Sequence, residues 1–179
     1  MSKLLAALMV LAACLSFAGM AFADGVTGQV QVTASVNSTC QFVGKTDITF
    51  STYDPIAQTA QNGAGSVSIM CVNGTAYHVA LDQGSTLKST SNSSCSAPDR
   101  AMKNAANASS FLCYLVKKAA DSTDWGAGSA TSPDQWGSRL DATGTGTSQV
   151  HGLSATIRAG QTGATSGTYQ DTIGVTVTF

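Results

Sequence analysis

Glutamate is absent from this chain of 179 residues, and charge of either sign is scarce: ten Asp, nine Lys plus Arg, together 11% of the sequence. Exposed helical faces ordinarily carry Glu and Lys. The shortage therefore speaks against long helices, and the polar positions fall instead to Gly, Ser, Thr, Ala and Asn, which suit short strands and turns. A net charge of −1 offers no basic patch for nucleic acid or an anionic membrane. Bases for neutral-pH chemistry are equally few, His78 and His151. The sequence has no G-x-S-x-G elbow, no H-E-x-x-H and no P-loop, so no catalytic residue and no small-molecule substrate are expected. The Asp residues are scattered without a calcium-loop spacing, which leaves no metal or cofactor to expect; Asp54 and Asp171 suit turns or a nearby donor.

Long apolar runs are also missing after the first 23 residues. Lys3, an apolar stretch over 4–22 and Ala21-Phe22-Ala23 read as an export signal, with the mature chain beginning at Asp24. Leu11-Ala12-Ala13-Cys14 resembles a lipobox, but the apolar run continues past it. The remainder suits one domain. It retains Cys40, Cys71, Cys95 and Cys113, an even count behind a signal, which points to disulfides in an oxidising compartment. Without a C-x-x-C pair, zinc or dithiol chemistry is not indicated. Three pairings are possible; the one favoured joins sequence neighbours, Cys40 with Cys71 and Cys95 with Cys113, each bridge stabilising by roughly 2–4 kcal/mol.

What is present is period-two alternation. Val67, Ile69 and Cys71 share one face of a strand and Tyr77, Val79 and Leu81 one face of the next, with Asn73-Gly74 between them predicting a hairpin. Residues 111–116 are apolar on both faces, as in a covered central strand. Leu153, Ala155 and Ile157 mark a weaker strand, and 167–179 reads as one long strand with Tyr169, Ile173, Val175, Val177 and Phe179 on a single face. Stretches 83–107 and 119–149 read as long loops holding short pieces of structure. About six core strands are expected, in an all-β, immunoglobulin-like sandwich. Trp125 and Trp136, in Gly-rich surroundings, suit core packing or loop anchoring better than an adhesive surface, and His78 suits the surface of the sheet.

The most informative segment precedes the first cysteine. Val26, Gly28, Val30, Val32, Ala34 and Val36 alternate with Thr27, Gln29, Gln31, Thr33 and Ser35. One reading makes this the first strand of the chain's own sandwich. The other makes it a donor strand that fills an open groove in another subunit, backbone bonds supplying affinity and the valines register.

Several motifs carry a family resemblance over essentially the whole mature chain. They are Val26-Thr27-Gly28-Gln29-Val30 ahead of Cys40, Phe50-Ser51-Thr52-Tyr53-Asp54-Pro55, the strand bearing Cys71, residues 112–115, Trp136-Gly137, and Gly167-Thr168-Tyr169-Gln170-Asp171-Thr172 with Val175, Val177 and Phe179. Together they resemble the spore coat protein U domain family, which includes subunits of archaic, Csu-type chaperone-usher pili. His151-Gly152 stands where many relatives have Tyr-Gly, and Ala34 is small for a deep pocket. The resemblance implies an incomplete immunoglobulin-like fold lacking its last strand, completed by donor-strand complementation. It implies a groove beside Tyr169, Ile173, Val175, Val177 and Phe179 that takes first a periplasmic chaperone and then, at the outer-membrane usher, the next pilin. On this reading 1–23 is the signal, 24–38 the donor segment and 39–179 the pilin domain. The product is then a surface fimbrium serving adhesion or biofilm formation. A self-complete, secreted spore-coat-like or carbohydrate-binding adhesin module is the alternative.

Overall fold

In the computed structural model, residues 25–86, 95, 99–126 and 139–179 are described. The expected export signal, Asp24 and Trp136-Gly137 lie outside them. The chain divides into two units, Met1–Val36 and Asn37–Phe179. In the first, residues 25–36 form no strand, and Val26, Val30, Val32 and Val36 are 80–97% exposed.

The second unit holds nine strands among the described residues: β1 (Cys40–Phe50), β2 (Gln61–Cys71), β3 (Ala76–Leu81), β4 (Arg100–Asn104), β5 (Phe111–Lys118), β6 (Leu140–Thr143), β7 (Ser148–Ile157), β8 (Tyr169–Gln170) and β9 (Val175–Thr178). They form a six-stranded sheet ordered β1-β2-β7-β5-β4-β8 and a three-stranded sheet ordered β6-β3-β9. Every named pair of strands is antiparallel. The fold is an all-β sandwich. Its core sets Val67, Ile69, Leu112, Tyr114, Val116, Leu153, Ala155 and Ile157 of the large sheet against Tyr77, Val79 and Leu81 of the small one. Each fully buried aliphatic stabilises by about 1.5–3 kcal/mol before entropy is counted.

The alternation expected in β2 and β3 is present, but they are not a hairpin. The turn at Asn73-Gly74 closes with Thr75 N donating to Val72 O (3.0 Å), Gly74 adopts φ 83°, and the chain passes from one sheet to the other. A strand with one apolar face is satisfied equally by a neighbour in its own sheet or by a layer opposite, so period two does not distinguish them.

The C-terminal stretch differs likewise. It is two short strands in different sheets, β8 beside β4 and β9 beside β3. The break has a local cause. The Asp82 carboxylate accepts from Gly174 N (2.8 Å), and a Cβ at Gly174 would sit 2.3 Å from it, so the chain is pinned where a continuous strand would run straight.

Three further expectations change. β5 lies inside the large sheet but buries only the face of Leu112, Tyr114 and Val116, because its other face carries Cys113, bonded to Cys95 and held by the Gln161 side chain. β7 is a ten-residue strand paired on both sides rather than a weak one. β1 is a strand that the alternation did not reveal, and with β4 and β6 as the short pieces of structure inside the expected loops the strands exceed six.

Candidate functional site: an open edge of the sandwich

The two sheets have unequal numbers of strands, and the surplus leaves part of the large sheet uncovered. Among the described residues, β1 at one edge bonds only to β2 and β9 at another only to β3. Between these edges lies a cleft of about 1200 Å³. One wall is the chain from Lys45 to Tyr53, the other runs from Ala164 to Ile173 with Val175, and the floor is core: Val67, Leu112, Tyr114, Leu153 and Ile157. Core residues that line a cleft are unusual, since a closed sandwich places a strand over them.

β1 reaches this position through irregularity. Bulges fall between Phe42 and Gly44 and between Thr46 and Thr49. Ile48 and Phe50 lean across the facing strand, so close that a Cβ on Gly65 would lie 2.8 Å from Ile48 Cγ1 and one on Gly63 2.9 Å from the Phe50 ring. The Phe50 ring meets Tyr114 edge to face at 6.3 Å. Beyond β1, Tyr53 Oη donates to Arg158 O (2.9 Å) and accepts from Gln161 N (3.1 Å), while Asp54 caps the next turn by accepting from Ile56 N (2.9 Å). The Tyr-Asp-Pro motif thus anchors one rim.

The opposite rim is held by polar groups. Asp171 accepts from Tyr114 Oη (2.6 Å), Ser85 Oγ (3.0 Å) and Thr86 N (3.0 Å). Burial and the Asp171 carboxylate together push the Tyr114 hydroxyl far above its ordinary pKa, so it stays a donor. Tyr169 Oη donates to Thr165 O (2.7 Å) and meets Ser110 Oγ (2.6 Å). Asn104, 1% exposed, accepts from Ala106 N (2.8 Å) and Asn107 N (3.0 Å).

Of the C-terminal residues singled out in the sequence, Tyr169, Ile173 and Val175 line the cleft, Val177 packs partly on the core, and Phe179 is 61% exposed. The wall from Lys45 to Tyr53 was missed as a unit. Its signal is faint but present in Phe42, Ile48 and Phe50 following Cys40. The four cysteines form Cys40–Cys71 and Cys95–Cys113 bridges. Trp125 is buried, 1% exposed. His78 lies on the surface, its Nδ1 2.6 Å from Asp141 Oδ1.

His151 is partly buried, with Nε2 2.7 Å from Tyr77 Oη, and burial holds its pKa below the ordinary value. The imidazole tautomer sets which of the two donates. The unfolded chain protonates near pH 6.5 and the folded chain only below that, so stability is full above about pH 6.5 and declines as pH falls toward the lowered folded value. Thermal melts from pH 7.5 to 5 are expected to show this acid-side loss, and His151→Gln should flatten it. An unchanged slope in the variant would remove His151 as its source.

The chain is thus an all-β sandwich whose interior opens along one edge. The Spore Coat Protein U domain family matches residues 26–176, and the chain belongs to that family. Protein U of Myxococcus xanthus is 31% identical over 161 residues, covering 86% of this chain and 84% of that protein. Among solved structures, the chaperone–tip adhesion subunit pre-assembly complex from archaic chaperone-usher Csu pili of Acinetobacter baumannii aligns with a TM-score of 0.52 and 25% identity. That alignment covers 81% of this chain but only 41% of the other. A chaperone–tip adhesin complex of CFA/I fimbriae superimposes more loosely, with a TM-score of 0.43 and 14% identity over 84% of this chain and 40% of that one.

Proposed function

We propose that this protein is an exported structural subunit of a surface pilus, assembled by the chaperone-usher pathway through donor-strand exchange. Residues 24–38 act as the donor, 39–179 as the receiving domain, and 1–23 as the export signal. The observation that carries this reading is the apolar cleft beside the edge of β9 that no other described strand pairs with. Its complement is the alternating, exposed row Val26, Gly28, Val30, Val32, Ala34 and Val36. Strand addition to an open edge supplies main-chain bonds, and side chains set into the cleft supply specificity. Burying the four valines contributes a gross 6–12 kcal/mol, at about 1.5–3 each, before the costs of ordering.

An open groove in the free subunit would invite aggregation, so a periplasmic chaperone covers it until the usher brings in the next pilin. The partners are then the chaperone, the usher and identical or related pilins. The route runs through the periplasm to the cell surface, where the fibre serves adhesion or biofilm formation.

The test uses the full chain, exported with its signal, chaperone and usher. Wild type is expected to give SDS-resistant polymers. Val32→Asp should give subunits with unchanged thermal stability and at least about a hundredfold less polymer, because a carboxylate set into an apolar groove stays unpaired. Polymers from Val32→Asp in wild-type amount would defeat donor-strand exchange.

A further inference from the structure

The core-facing side of β1 is not apolar throughout. Register with β2 sets Phe42 beside Ile69, Lys45 beside Val67 and Phe50 beside Gly63. Val67 and Ile69 are 3% and 0% exposed, and cross-strand partners project to the same face, so Phe42 and Lys45 point to the core side. Ile48 and Phe50, leaning over Gly65 and Gly63, complete a row running Phe42, Lys45, Ile48, Phe50. Phe42 is nonetheless 50% exposed and the Lys45 side chain 59%, its ammonium paired with Asp47 at the rim. Any strand laid over this row meets a cation at the second position.

The donor row has few ways to meet it. A valine over Lys45 would confine the lysine stem and strip water from its charge. A glycine leaves room for the stem to lie flat and the ammonium to stay with Asp47 in water. Gly28 is the second position of the donor row, and Ala34, second from its other end, is the next smallest.

Direction separates the two. β1 runs from the Cys71 end of the sandwich to the Gly63 end. β3 starts from the Cys71 end and β9 pairs antiparallel to it, so β9 runs the opposite way to β1. A segment antiparallel to β9 therefore follows the direction of β1 and lays 26, 28, 30 and 32 over 42, 45, 48 and 50. Each segment leaves its own body at Cys40. Inserted this way it exits the receiving copy at the Phe50 end and joins unlike ends, which propagates a fibre. The reverse direction places Ala34 over Lys45, joins like ends and closes a pair.

We propose that Gly28 of one copy lies over Lys45 of the next, which fixes the donor register with Val26 over Phe42, Val30 over Ile48 and Val32 over Phe50. This rests on the pilus reading and specifies its joint. In the same polymer assay, Gly28→Leu overfills the site and is expected to reduce polymer at least about tenfold. Adding Lys45→Ala to the same chain frees the space and should restore polymer to within about threefold of the level given by Lys45→Ala alone. Melting curves of the chaperone-released variants should match wild type, which separates assembly from folding. Wild-type polymer from Gly28→Leu, or failure of Lys45→Ala to restore it, overturns the register. Rescue by Lys45→Ala of an Ala34→Leu block instead overturns the direction. In either case loss of polymer in Val32→Asp leaves the pilus reading standing, whereas polymer from that variant removes the reading itself.

Discussion

Arg100→Met is expected to destabilise the domain by about 3–5 kcal/mol, a large part of the roughly 5–15 kcal/mol that holds such a domain folded. Arg100 is 1% exposed. Its Nε donates to Asp82 O (2.9 Å) and its Nη2 to Trp125 O (2.9 Å). Burial lowers its pKa, while the nearby Tyr114, Asp82 and Asp171 favour the charged form. Methionine fills much of the volume but leaves two carbonyls without this donor and the Asp82 and Asp171 carboxylates without this cation. Removing one partner of a buried charged network costs more than exchanging the whole network for apolar groups. Urea unfolding should show the loss as a lower midpoint at similar slope; a change under about 1 kcal/mol would mean the network is already compensated by solvent.

Trp125→Ala should cost a similar amount, about 3–5 kcal/mol, through the cavity it opens. The indole is buried where the sheets meet: its Nε1 donates to Val79 O of β3 (3.2 Å) and its backbone N to Val116 O of β5 (2.9 Å). Trp125→Phe keeps most of the packing and loses the Nε1 bond, a smaller loss of about 1–2 kcal/mol. The ordering of the two variants in thermal or urea unfolding is the check, and equal stabilities would show that packing there is loose. Trp125, 1% exposed, serves the packing of the two sheets.

Alternation was readable wherever a strand buries one face against apolar neighbours, as in Val67-Ile69-Cys71, Tyr77-Val79-Leu81 and Leu153-Ala155-Ile157. It failed where burial is polar or absent. β4 reads Arg-Ala-Met-Lys-Asn, and its buried Arg100 and Asn104 are satisfied by hydrogen bonds that composition does not announce. β1 has no complete covering layer to demand alternation, and two bulges reset its period, so Lys45 falls among apolar positions and hides the strand. Sheet membership was invisible for a different reason. The same pattern fits either layer, and the change of sheet between β8 and β9 depends on the contact of Asp82 with Gly174, distant in sequence. The family motifs carried what periodicity did not: Tyr53 and Asp171 tie the cleft's rims to the body, and Asp54 caps the turn beside Tyr53.

The Cys40–Cys71 bridge sits where the N-terminal segment joins the domain, and Val72 N also donates to Thr39 O (3.0 Å) beside it. Under the proposed donor-strand linkage, tension on a filament would arrive at residue 39. Without the covalent tie it would peel β1 away from its single neighbour one bond at a time. With it, the load passes into β2, which is flanked on both sides, so many bonds must shear at once. The bridge would therefore make such a joint resist pulling.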